Sequence, residues 1–226
     1  MLQGRSCVVF DLDGTLADTS GDLLAAANAC FGAMGAGEVL GPGDELTALN
    51  GGRAMLRAGF ARLGRRVDEA EVDLWYPRLL SAYGDAIAVH TRLYPGATAA
   101  IEALRGTGHA VAICTNKPEA LADRLLQVLG VRSLFAALIG ADTLPTRKPD
   151  PEPYRQAVAR AGGTLARSML VGDTETDLRT ARAAGVPVAL VGFGPEGAEI
   201  ARLSPDALLH SYADLPELVA RWLAAR

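Results

Sequence analysis

The chain has 226 residues, half of them hydrophobic and 21% charged, a balance that suits a globular protein with a sizeable core and excludes a disordered one. Acidic residues outnumber basic ones 26 to 22, for a formal net charge of -4. Arginine and lysine are scattered rather than gathered into a basic stripe, so no nucleic-acid partner is expected.

The first apolar run, Cys7–Phe10, breaks at Asp11. That is too short for the apolar core of a secretory leader, and no run approaches the roughly 18 residues of a membrane span. A cytoplasmic protein with no membrane partner is expected. Cys7, Cys30 and Cys114 fit no metal-binding spacing, and two of them sit in apolar runs, so they read as buried reduced thiols.

From about Leu16 to Tyr94 no convincing strand is found. Leu23–Met34, Gly52–Leu63 and Ala70–Val89 have helical patterning, separated by glycine-rich joints. A strand–helix–strand crossover takes about 30 residues, so the excess reads as a helical insert over 16–94. After it, apolar runs alternate with helical stretches. The runs are Val111–Cys114, a weaker Ala137–Ile139, Met169–Val171 and Val188–Val191; the helices are Ala97–Arg105, Ala120–Leu129, Pro153–Ala161, Leu178–Ala184 and Leu215–Ala224. Short apolar runs between helices read as buried parallel strands. The expected fold class is therefore α/β: a Rossmann-like parallel sheet core over 1–15 and 95–226, with an inserted all-helical cap domain over 16–94.

Ligands of open α/β sheets bind at the carboxyl ends of the strands, where the polar breaks fall. Asp11-Leu12-Asp13-Gly14-Thr15 places two carboxylates two residues apart, on one side of an extended chain. Thr115-Asn116-Lys117-Pro118 puts a hydroxyl, an amide and backbone N–H groups before a helix, which suits an anion or serves as an ordinary cap. Lys148, between Arg147 and Pro149, stands on a loop stiffened by Pro149, Pro151 and Pro153. Asp173 and Asp177, four apart, share a face if the chain turns helical there. Carboxylates gathered this way need a positive complement: Lys148 supplies one charge, and a hard divalent cation such as Mg²⁺ is the natural second. A pocket of this composition is built for a phosphoryl group.

These four clusters, in this order, resemble the motifs of the haloacid dehalogenase superfamily, and the helical insert resembles that family's cap. Asp13-Gly14-Thr15-Leu16-x-Asp18-Thr19 and Thr115-Asn116-Lys117-Pro118 are similar to its phosphoglycolate phosphatase branch. The resemblance implies an aspartyl-phosphate formed on Asp11, with Asp13 as general acid and then base. It implies Mg²⁺ held by Asp11, the Asp13 carbonyl and Asp173. Thr115 and Asn116 would hold phosphoryl oxygens, Lys148 would neutralise Asp11 and the transferring group, and Asp177 would support the metal shell or pair with Lys148. The expected activity is hydrolysis of a small phosphorylated metabolite, 2-phosphoglycolate first. A sugar phosphomutase on the same core, or a module that senses magnesium or phosphate, is the alternative; a dehalogenase is disfavoured because Asp13 is present. In the cap, Arg53 after Asn50-Gly51-Gly52 is the candidate contact to a substrate carboxylate. His90 is a weaker candidate, and His109 and His210 read as structural or exposed.

Overall fold

A computed structural model describes residues 4–224. In chain order its elements are strand β1 (Cys7–Phe10), strand β2 (Ala17–Asp18), helices α1 (Ser20–Ala33), α2 (Glu45–Leu49), α3 (Gly52–Arg62) and α4 (Glu69–Asp85), and strand β3 (Arg92–Leu93). Then come α5 (Ala97–Gly106), β4 (Ala110–Cys114), α6 (Glu119–Val128), β5 (Ala137–Ile139) and α7 (Glu152–Arg160). The chain closes with β6 (Ser168–Gly172), α8 (Glu175–Ala184), β7 (Val188–Val191), β8 (Ala207–Leu209) and α9 (Leu215–Ala224). Two compact units result: residues 1–17 with 93–226, and residues 18–92.

The first unit is a six-stranded sheet in the order β5-β4-β1-β6-β7-β8, parallel throughout. Parallel strands covered on both faces read as unbroken apolar runs, and β1, β4, β5, β6 and β7 are buried at every position. One face of the sheet presents Cys7, Val9, Ala112, Leu170, Val188 and Leu190 to Tyr154, Ala157 and Val158 of α7 and Ala181 and Ala184 of α8. Helix α5 packs against β4 and against α9. Fully burying one such aliphatic or aromatic side chain contributes about 1.5–3 kcal/mol. Tyr154 is fully buried, yet its hydroxyl is satisfied by a 2.8 Å hydrogen bond to Ser168 Oγ.

Where the helices stop is also local chemistry. Helix α8 opens on a capping box between Thr174 and Asp177 and closes on Gly185 at φ 72°, the left-handed conformation that glycine adopts without a Cβ clash.

The second unit is built on α1, α3 and α4, which pack on one another, with α2 against α1 and α3. Gly59 of α3 lets the helix approach the Phe31 ring of α1 closer than any Cβ would permit. Asp22 is buried and accepts hydrogen bonds from the His90 and Thr91 N–H groups and from Thr91 Oγ1, at 2.9, 2.8 and 2.7 Å. Those bonds tie the end of this unit to its first helix.

The structure departs from the sequence reading in small elements. Residues 16–94 do contain strand: β2 and β3 pair as a two-residue ribbon where the chain leaves and re-enters the first unit. Helix α2 and strand β8 were not expected, and α4 ends at Asp85 rather than running on to Val89. Among the described residues no helix is long and apolar enough to cross a membrane.

Candidate active site

Sheet register brings the polar breaks together. Phe10 of β1 lies level with Ile113 of β4 on one side and Val171 of β6 on the other. Asp11 follows Phe10 directly, and Thr115 and Asp173 stand two residues beyond Ile113 and Val171, so all three leave neighbouring strands at the carboxyl edge of the sheet. Backbone bonds hold the first two there: Asp11 N–H donates to Val171 O and Thr115 N–H to Ile139 O, each at 2.9 Å.

Beyond Asp11 the chain turns tightly. The Leu12 carbonyl accepts from the N–H groups of Thr15, Leu16 and Ala17. Gly14 sits at φ 79°, where a side chain would be strained. The turn carries Thr15 Oγ1 to Asp173 Oδ1, with a 2.6 Å hydrogen bond. Tyr212, fully buried, donates from its hydroxyl to the Thr15 carbonyl at 2.7 Å and so anchors the turn from the far end of the chain.

Lys148 lies at the centre of the cluster and is almost wholly buried. Its Nζ is 3.0 Å from Asp11 Oδ2 and 2.7 Å from Asp177 Oδ1. Burial alone would push the ammonium down; the carboxylates of Asp11 and Asp177 more than offset that and hold its pKa above the usual lysine range. Asn116 steadies the same loop, donating from Nδ2 to the Lys148 carbonyl at 3.1 Å. Asp177 is held on both oxygens: its Oδ2 accepts from the N–H groups of Asp173 and Thr174 and from Thr174 Oγ1, while Oδ1 takes Lys148. The pairing with Lys148 considered for Asp177 is therefore present in the structure. Gly172 makes this fit, because a Cβ there would overlap the Asp177 side chain.

The remaining carboxylates are poorly compensated. Burial pushes the Asp11 carboxyl up to about 6 against the pull of Lys148. Burial, and then the charges of Asp177 and Asp11, hold Asp173 well above the usual carboxylate range. One oxygen each of Asp11, Asp173 and Asp177 lie within 4.8 Å of one another. Counting Asp13, four carboxylates face two ammonium groups, Lys148 and Lys117, an excess of two negative charges when all are ionised. An all-oxygen donor set with that excess fits a hard divalent cation of the Mg²⁺ kind. Asp11, Asp173 and Asp177 each offer one oxygen to such an ion, and Asp177 also bonds Lys148.

Sequence reasoning assigned no role to Lys117, Thr15 or Tyr212. Lys117 Nζ contacts both oxygens of Asp13, at 2.9 and 3.1 Å. The lysine was visible two residues after Thr115, but nothing in the sequence set it against Asp13. Of the other residues singled out, Arg53 lies in the second unit, where it pairs with Asp73 and its guanidinium stands 4.5 Å over the Tyr76 ring. His109 precedes β4, at the amino end of the strands, with Nδ1 2.5 Å from Ser6 Oγ; burial lowers its pKa. The three cysteines are buried and unpaired, and burial pushes Cys7 and Cys114 up to about 12, too high for a useful thiolate.

A parallel α/β sheet with an insert after its first strand and a lysine-bridged aspartate cluster at its carboxyl edge defines a class, and comparison with known proteins agrees with it. The haloacid dehalogenase-like hydrolase family model matches residues 8–191, and the chain belongs to that family. It is 39% identical over 222 residues to a phosphoglycolate phosphatase of Mesorhizobium japonicum, covering 98% of both chains. It is 38% identical over 209 residues to a phosphoglycolate phosphatase of Agrobacterium fabrum, covering 92% of this chain and 89% of the relative. The crystal structure of a predicted phosphoglycolate phosphatase from Haemophilus somnus superposes with a TM-score of 0.80 at 25% identity, over 96% of this chain and 99% of that one. The chain is a haloacid dehalogenase-like hydrolase of the phosphoglycolate phosphatase-like branch.

Proposed function

We propose that this hydrolase is a magnesium-dependent phosphatase that cleaves 2-phosphoglycolate through an aspartyl-phosphate on Asp11. The observation that carries the reading is the Asp11 carboxylate, fixed at the strand end by Leu12 N–H and Lys148 and bordered by Asp173 and Asp177. The identity to phosphoglycolate phosphatases over nearly the whole chain supports the substrate.

In the first step an oxygen of Asp11 attacks phosphorus, the bond from phosphorus to the ester oxygen breaks, and Asp13 donates its proton to the departing alkoxide. In the second, Asp13 takes a proton from water, that water attacks the same phosphorus, and the acyl phosphate opens to inorganic phosphate and free Asp11. Lys148 neutralises Asp11 and the equatorial oxygens of the transferring group, and Thr115 with the Asn116 backbone binds those oxygens. Bound Mg²⁺, on Asp11, Asp173 and the Asp13 carbonyl, would supply further positive charge to the phosphoryl group. In the cap, Arg53 is the proposed contact to the glycolate carboxylate.

The test is phosphate release from 2-phosphoglycolate with Mg²⁺, beside a panel of sugar, nucleotide and aryl phosphates. The expected result is a kcat/KM for phosphoglycolate at least tenfold above the panel, about 1.4 kcal/mol of transition-state binding. A flat profile removes the substrate and keeps the chemistry; turnover by Asp11→Asn, or turnover unaffected by EDTA, removes the chemistry.

A further inference from the structure

Two lysines divide the work among the carboxylates of this site. Lys148 serves Asp11 and Asp177, and Thr15 serves Asp173. Asp13 is served by Lys117, whose Nζ meets both carboxylate oxygens, so that the torsion of the group is fixed as well as its place. The lysine is itself held. Its N–H donates to Thr115 Oγ1 at 3.2 Å, its carbonyl accepts from Ala141 N–H at 2.9 Å, and Pro118 behind it starts α6. Its side chain is 3% exposed, against 18% for Asp13. Desolvating an ammonium this far offsets much of what its ion pair gains, so the pair is a poor device for stability alone. It is a good device for aiming a carboxylate that stands at the more open end.

We propose that Lys117 is a positioning residue that holds Asp13 in line for proton transfer to the leaving group. The proposal rests on the phosphatase reading of the site. A misplaced general acid matters in proportion to how badly the leaving group needs a proton: an alkoxide needs it, a nitrophenolate scarcely does. General acids contribute about 10²- to 10⁴-fold, and a displacement of about 1 Å can forfeit on the order of 10²-fold.

The experiment compares kcat/KM of the wild type, Lys117→Met and Lys117→Gln, in the presence of Mg²⁺. The substrates are 2-phosphoglycolate, the best neutral alkyl phosphate of the panel, and p-nitrophenyl phosphate. In both variants the two alkyl substrates should fall together, by about 30-fold or more, and the aryl phosphate by less than about threefold. Retained aryl hydrolysis also shows that the variants fold. A fall confined to 2-phosphoglycolate would make Lys117 a carboxylate contact and overturn the proposal. An equal fall for all three, or none, would overturn it as well. If the wild type hydrolyses no monoester, it is the phosphatase reading that fails instead.

Discussion

Lys148 and Asp177, 29 residues apart in sequence, form a fully buried ion pair 2.7 Å long. Removing one partner of a buried pair leaves the other uncompensated and costs about 3–5 kcal/mol. Lys148 keeps Asp11, so Asp177→Asn should fall at the low end, about 3 kcal/mol by urea denaturation. Combining it with Lys148→Met should cost less than the sum of the two, because the second change removes the charge stranded by the first. Additive losses would show that the two residues stabilise the fold independently.

Gly172 has no positive φ to explain it; its constraint is space. A methyl group there would fall within 2.6 Å of Asp177 Oδ2 and overlap that side chain's carbons. Asp177 has no room to yield, being held by Lys148 and by the start of α8. Overpacking of this kind costs about 1–3 kcal/mol. Gly172→Ala should lower the urea midpoint accordingly, and an unchanged midpoint would mean that the helix start shifts freely.

Asp173 carries a stability cost that the proposed metal role would explain. Burial, and then the charges of Asp177 and Asp11, hold its carboxyl above the unfolded value, so ionising it favours the unfolded chain. Asp173→Asn removes the charge and keeps an oxygen to accept from Thr15. In EDTA the variant should be more stable than the wild type, with a higher urea midpoint. Magnesium should then raise the wild-type melting temperature and leave the variant's unchanged. A variant less stable than wild type in EDTA would count against an uncompensated charge.

The acid limb of metal activation follows from Asp11. Its carboxyl, raised to about 6 by burial, is protonated in the metal-free protein below that pH. A metal ion must then displace the proton. The magnesium concentration for half activation should be flat above pH 7 and rise as pH falls below 6, by up to about tenfold per unit. For folding the sign is opposite: a raised carboxyl gives stability that is present at acid pH and lost as pH rises through 6. Magnesium titrations at pH 5, 6, 7 and 8 decide it, and a constant requirement across that range would contradict the assignment.

The sheet was legible because a strand buried on both faces must be apolar throughout, and Cys7–Phe10, Ala137–Ile139 and Val188–Val191 appear in the structure with the same bounds. Strand β8 was not, because Ala207-Leu208-Leu209 follows Pro205-Asp206 and reads equally as a loop. What secures it is pairing with β7, together with Asp206, which accepts from Val188 N–H and Arg182. The site shows the same division. Asp11, Asp173 and Lys148 announce themselves by residue type at a strand end or on a stiff loop. The roles of Thr15, Lys117 and Tyr212 depend on contacts spanning 158, 104 and 197 residues, which exist only once the register of β1 between β4 and β6 is known.

Arg53, in the second unit, is the proposed contact to the substrate carboxylate. At the start of α3 it pairs with Asp73 and stacks on Tyr76, with 39% of its side chain exposed. An exposed ion pair of this sort is worth about 0.2–1 kcal/mol, so the guanidinium can exchange Asp73 for a substrate carboxylate at little cost. Arg53→Ala should raise KM for 2-phosphoglycolate by about tenfold while barely altering neutral alkyl phosphates, since it removes a contact made equally in ground and transition states. Asp73→Asn should act in reverse: by freeing Arg53 it should leave KM for phosphoglycolate unchanged or lower it. If Arg53→Ala affects charged and neutral substrates alike, the residue supports the α3–α4 packing and does not read the substrate. If both variants raise KM for phosphoglycolate, it is the intact Arg53–Asp73 pair, and not the free guanidinium, that the substrate requires.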